Sequence, residues 1–147
     1  MRLVVSLLVA VFAAALLLVP SAAAAKEPGD PCEGSTTLAI NECYDGKLQT
    51  AQAEMNRYLQ AAIDRYLESE EDAVVLGLRN SQAAFEAYRA IECETVYEHW
   101  KGGTIRTLNS LVCSIALTDQ RTHAIWASWL TYPDSTPPTL PEPTTTE

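Results

Sequence analysis

The sequence predicts an all-α fold, a small antiparallel three-helix hairpin stapled by two disulfides. Three observations lead there. Large apolar residues recur at steps of three and four in three successive segments, which puts each set on one stripe of a helix. No period-two alternation runs long enough to make a strand. Four cysteines stand in a chain that opens like an export signal, and small exported domains lean on disulfides.

The opening segment comes first. Of 147 residues, the first 25 carry Arg2, an apolar run over residues 3–19 and the small-residue stretch Pro20-Ser21-Ala22-Ala23-Ala24-Ala25. That is the pattern of a cleaved signal peptide, with cleavage expected after Ala25. The apolar run is short for crossing about 30 Å of hydrocarbon. Removing it leaves 122 residues with 9 basic and 19 acidic side chains, a net charge of −10. Such a balance argues against nucleic acid, whose phosphates need a basic surface. The length argues against a two-domain enzyme with a cofactor cleft. The product is expected to be secreted or periplasmic, with no membrane attachment after cleavage.

A polar leader over residues 26–35 precedes the first helix, whose stripe is Tyr44, Leu48, Ala51, Met55, Tyr58, Ala62 and Tyr66. Asp45-Gly46 is a turn signal inside it, so the helix is expected to kink there or to begin after it. Ser69 with Asp72 three residues on resembles a capping box, and Glu70 and Glu71 suit a first helical turn, which starts the second helix. Its stripe runs Val75, Leu78, Gln82, Phe85, Arg89 and Cys93, and it stops before Gly102-Gly103, a pair that ends helices by entropy and by permitting positive φ. The third stripe is Leu108, Leu111, Val112, Ile115, Thr118, Thr122, Ile125, Trp126 and Trp129, ending near Tyr132-Pro133. The helical domain is therefore residues 26–132. Residues 133–147 are Pro, Thr and acid, with Leu140 as their one large apolar residue, and are expected to form a disordered tail.

Cys32, Cys43, Cys93 and Cys113 allow three pairings. The shortest loops favour Cys32 with Cys43 and Cys93 with Cys113, and Cys43 with Cys93 stays open as a rival. The spacing forms no zinc pattern, and no metal or cofactor is expected.

Two polar residues on the second stripe need partners, because a buried lone charge costs several kcal/mol. Arg89 should meet a carboxylate or several backbone carbonyls, and Gln82 should meet Asn56 or Glu54. These residues read as a structural network that fixes helix register. Catalysis finds no foothold. His99 and His123 lack a nucleophile in a recognisable motif, and Glu86, Glu94 and Glu98 fall on a solvated face. Two places suit a protein partner. One is the acidic turn of Glu68, Glu70, Glu71 and Asp72, an electrostatic footprint for a cationic protein. The other is the segment Tyr97-Glu98-His99-Trp100-Lys101-Gly102-Gly103-Thr104, which sets aromatics and both signs of charge beside a glycine pair.

Several of these residues, in order, form a pattern that resembles the lysozyme inhibitor LprI N-terminal domain family. They are Cys32, Asn41-Glu42-Cys43, Met55-Asn56, Leu78, Gln82, Phe85, Tyr88-Arg89, Glu92-Cys93, Gly102-Gly103-Thr104, Cys113 and Thr118 with Arg121. The chain departs from the family in carrying Phe85 where Trp is common, and Tyr58 one place away from the usual aromatic. The resemblance implies a small helical, disulfide-bonded, exported domain and, for named members, inhibition of lysozyme. It also adds Arg121 to the structural network of Asn56, Gln82 and Arg89. The expected function is a non-catalytic binding protein that occludes a cationic lysozyme or another cationic envelope protein. The alternative is an envelope structural or assembly module bound to an endogenous partner.

Overall fold

Helix α1 begins where the Thr36 hydroxyl accepts the Ala39 amide at 3.1 Å, an N-cap, and runs as Thr37–Glu68. The computed structural model describes Cys32, Glu33 and residues 36–144. The signal-peptide reading of residues 1–25 lies outside these. Among the described residues no helix is long and apolar enough to cross a membrane.

Asp45-Gly46 does not break α1. The Gln49 side chain donates to Asp45 Oδ2 at 2.6 Å and the Thr50 hydroxyl to Gly46 O at 3.0 Å, both one turn on, so the helical frame satisfies the two turn-forming residues locally. The chain then reverses through Ser69–Glu71. The Glu70 amide bonds Leu67 O at 3.2 Å and the Glu71 amide bonds Tyr66 O at 2.9 Å, with Glu70 at φ 59°. This is a Schellman closure with glutamate in the left-handed position that glycine usually takes. The capping-box expectation is corrected here. Ser69 is the C-cap of α1, its hydroxyl 2.9 Å from a Glu71 carboxylate oxygen, and α2 (Asp72–His99) starts after Glu71 without a side-chain cap. Helix α3 is Arg106–Ile125, and Trp126–Leu130 continues it as a single π-helical turn.

The α2–α3 connection also differs from expectation in one respect. Neither Gly102 nor Gly103 has positive φ, and a Cβ built at either would meet nothing closer than 3.7 Å, so the turn requires glycine at neither position by conformation or by space.

Helix α3 packs along both α1 and α2. The core is Met55, Tyr58, Ala62 and Ile63 from α1, Val75 and Leu78 from α2, and Ile125 with Leu130 from the end of α3 and the π turn. The stripe of α3 advances by three and four up to Ile125, and the next fully buried residue is Leu130, five on. A π turn supplies that step of five. Arg65 fits the carbonyls left where the turn ends. Its Nη1 donates to Trp129 O at 2.7 Å and Thr131 O at 3.2 Å, and its guanidinium lies 4.0 Å from the Tyr132 ring centre.

Two disulfides, Cys32–Cys43 and Cys93–Cys113, have Cα separations of 5.5 and 5.6 Å. They settle the pairing in favour of the shortest loops. Because α1 and α2 are antiparallel, both lie at the end of the bundle opposite the Ser69–Glu71 turn.

The expectation for the tail is corrected over residues 133–144. They form neither helix nor strand, yet they fold back on the body. The Thr139 amide donates to Leu130 O at 2.8 Å, Trp126 Nε1 to Leu140 O at 3.0 Å and the Tyr58 hydroxyl to Pro141 O at 2.8 Å. Leu140 packs against the core. Composition undervalued this segment because a single leucine and two aromatic donors, supplied by other elements, are enough to hold it.

Candidate functional site

The disulfide-locked end gathers the first turns of α1, the last turns of α2, the 100–105 connection and the start of α3. Cys93 is buried, and its carbonyl accepts the Ser110 hydroxyl at 3.0 Å, so the disulfide and a hydrogen bond tie α2 to α3 at one level. The connection between them therefore has fixed ends. On it, Trp100 is 44% exposed and meets the His99 ring edge-on at 5.4 Å, and Ile105 is also 44% exposed. Tyr97 is half-buried under the Arg106 guanidinium, 4.6 Å from its ring centre.

Beside this connection lies a shallow cleft of about 330 Å³ between α1 and α3, lined by Asn41, Glu42, Asp45, Thr107 and Leu111. Its groups are mostly acceptors. Asn41 Oδ1 is buried there and has no hydrogen-bond partner among the described residues. Glu94 and Glu98 stand exposed on the last turns of α2, and Lys101 stands exposed beside Trp100, so this end carries both signs of charge.

The acidic turn lies elsewhere. Glu70, Glu71 and Asp72 sit at the α1–α2 reversal, and the rise of α2 puts them about 40 Å from His99. The two surfaces that the sequence offered for a partner are thus at opposite ends of the bundle and cannot meet one small cleft together.

Between those ends runs the polar network. Gln82 is buried, with its amide nitrogen 3.1 Å from Glu86 Oε1 and 3.5 Å from Met55 Sδ. Arg121 Nε donates to Gln82 Oε1 at 3.2 Å and Arg121 Nη2 to the Ser81 hydroxyl at 2.9 Å. Burial lowers the Arg121 pKa from the usual arginine value, and the group stays charged at any ordinary pH. One turn away, Arg89 Nη1 donates to the buried Thr118 hydroxyl at 2.7 Å, which itself donates to Ser114 O at 2.7 Å. The Phe85 ring has both guanidiniums nearby, Arg89 at 5.6 Å and Arg121 at 5.7 Å from its centre.

Two expectations for this network are corrected. Asn56 is exposed and takes no part, and Glu54 pairs instead with Arg57 at 2.6 Å on the surface. Arg89 meets a threonine hydroxyl and an aromatic face, and among the described residues no carboxylate lies within ion-pair distance of it. The half-buried position of Arg89 explains this, since partial hydration removes the need for a counter-charge. Sequence reading missed Ser81 and Thr118 as partners. Only the placing of Ser81 and Arg89 one turn either side of Phe85 hinted at them.

The family model described as lysozyme inhibitor LprI matches residues 30–125. The chain belongs to that family. No curated protein and no solved structure matches it. The LprI region takes in both disulfides, the polar network, the cleft and the exposed aromatic connection, and it ends with the last residue of α3. The π turn and the folded-back tail follow it. Two disulfides and LprI membership both fit a protein that works outside the cytosol.

Proposed function

We propose that this protein is an exported, non-catalytic inhibitor that binds a cationic lysozyme through its disulfide-locked end and occludes the cleft of that enzyme. Trp100 on the clamped α2–α3 connection is the observation that carries the reading, beside membership in the LprI family. Interface energy concentrates in buried Trp, Tyr and Arg anchors, and an anchor on a connection with fixed ends loses little freedom on binding. The acids of this end of the bundle, Glu42 and Asp45 at the cleft and Glu94 and Glu98 on α2, would meet the cationic rim of the enzyme. The distant turn with Glu70, Glu71 and Asp72 would add only to the long-range field that speeds encounter. His99 supports Trp100 edge-on, and Tyr97 seats Arg106 at the start of α3 beside the Gly102-Gly103 connection.

The test is inhibition of lysozyme-driven lysis by the oxidised 26–147 chain across a salt series. Inhibition near stoichiometric ratio that weakens with salt is expected. Trp100→Ala should raise the inhibition constant at least tenfold, about 1.4 kcal/mol, with helix content unchanged. No inhibition by the unmodified chain at low salt would overturn the reading and favour an envelope module with an endogenous partner.

A further inference from the structure

The seat of the tail is built like a reader of proline-rich chain. Trp126 Nε1 donates to Leu140 O at 3.0 Å, and the Tyr58 hydroxyl donates to the next carbonyl, Pro141 O, at 2.8 Å. The Leu140 side chain packs against the core cluster, and the Thr139 amide is fixed to Leu130 O at 2.8 Å. Two aromatic donors from different elements thus hold consecutive carbonyls around an apolar anchor. Aromatic-lined grooves also hold proline-rich segments, and here the seated segment bends at Thr139 and Leu140 as it presents its carbonyls. Such a segment has few amide donors and leaves its carbonyls free. Its prolines fix φ near −65° and bias the preceding residues to extended backbone, so little entropy is lost on binding.

Residues 134–144 read Asp-Ser-Thr-Pro-Pro-Thr-Leu-Pro-Glu-Pro-Thr, with four prolines. Glu142 adds one exposed contact, 3.2 Å from His123 Nε2. Trp126 and the strap follow the region that the lysozyme inhibitor family covers, whereas Tyr58 and His123 lie within it. We propose that the groove between Tyr58 and Trp126 is a binding site for a proline-rich polypeptide that bends at an apolar anchor, filled at rest by residues 139–141 of the chain itself and open to a proline-rich segment of another protein when the strap lifts. The connection over residues 131–138 is short, so the tethered segment competes at an effective concentration of roughly millimolar.

The experiment uses the oxidised 26–147 chain and a labelled synthetic peptide with the sequence of residues 134–144. Leu140→Asp removes the anchor of the strap and leaves the groove intact, and Leu140→Ser does so more mildly. Either variant, with helix content checked by circular dichroism, should bind the peptide at least about tenfold more tightly than the unmodified chain. Adding Tyr58→Phe to Leu140→Ser should weaken that binding about fivefold, the worth of one hydrogen bond, and a peptide carrying Asp in place of the leucine should not bind. On the unmodified chain, millimolar peptide should speed hydrogen exchange at the Thr139 amide. No gain in affinity on release of the strap, equal binding of the leucine and aspartate peptides, or unchanged exchange at Thr139 would each overturn the proposal. None of these readouts involves lysozyme.

Discussion

Glu70 holds φ 59°, where a Cβ atom crowds the backbone at a cost of about 1–2 kcal/mol. Glycine would avoid that cost while giving back about 0.5–1 kcal/mol of unfolded-chain entropy. Glu70→Gly is therefore expected to raise stability by up to about 1 kcal/mol, read as a higher denaturation midpoint; a lower midpoint would mean the side chain contributes more than the backbone strain costs. Thr118 illustrates a different balance. It is fully buried and accepts the Arg89 guanidinium at 2.7 Å, so Thr118→Val keeps the shape and strands a donor. A loss of about 1–3 kcal/mol is expected, and it should vanish when Arg89 is also replaced by leucine. Additive losses in that double-mutant cycle would refute the network. Tyr58 brings a pH dependence. Burial is the main cause that pushes its phenol above the ordinary value of 10.0, the Glu54 carboxylate adding to it and Arg57 opposing it. The native state then holds this proton more tightly than the unfolded chain. The stability it contributes is complete below pH 10 and is lost as pH rises through the raised native value. The unmodified protein should lose more stability than Tyr58→Phe as pH climbs above 10, measured by urea midpoints. Parallel curves would show that Tyr58 ionises freely in the fold.

Each helix was legible from its stripe, and the errors fell where local signals compete. Asp45-Gly46 reads as a turn in isolation, but a 32-residue helix anchored by Ala51, Met55, Tyr58 and Ala62 outweighs the roughly 1 kcal/mol that one glycine costs. Ser69 to Asp72 reads as a capping box, yet the chain needed a C-terminal closure first. The third stripe pointed to Trp129, which packs against the core, and the π turn adds Leu130 as the fully buried member. Leu130→Ala is accordingly expected to cost about 2–5 kcal/mol, more than Trp129→Ala deprived of its edge-on contact with Tyr66, compared by chemical denaturation. The reverse order would show that the turn does not carry the core. The Cys93–Cys113 link closes a separation of 20 residues, worth about 3 kcal/mol by chain entropy. Its removal also frees the ends of the Trp100 connection, so the double serine variant should lose lysozyme affinity along with stability.

The whole molecule separates its charges by length. A helix of 28 residues sets the acidic turn and the aromatic connection at opposite ends, so neutralising Glu70 and Glu71 should leave the inhibition constant at physiological salt within about twofold, because that distance exceeds the screening length several times over. A loss as large as that of Trp100→Ala would move the interface to the other end.

Sequence alone determined the class of fold, the span of the second and third helices within a few residues, and, through a run of spaced motifs, the family. These rest on periodicity and on residue identity, which are local properties of the chain. The partners of Arg89 and Gln82, the separation of the two acidic and aromatic surfaces, the turn that buries Leu130 and the docking of residues 139–141 were decided only in three dimensions. Each depends on which side chains the packing of α3 between its neighbours brings within about 3 Å, and no spacing along one helix encodes a distance to another.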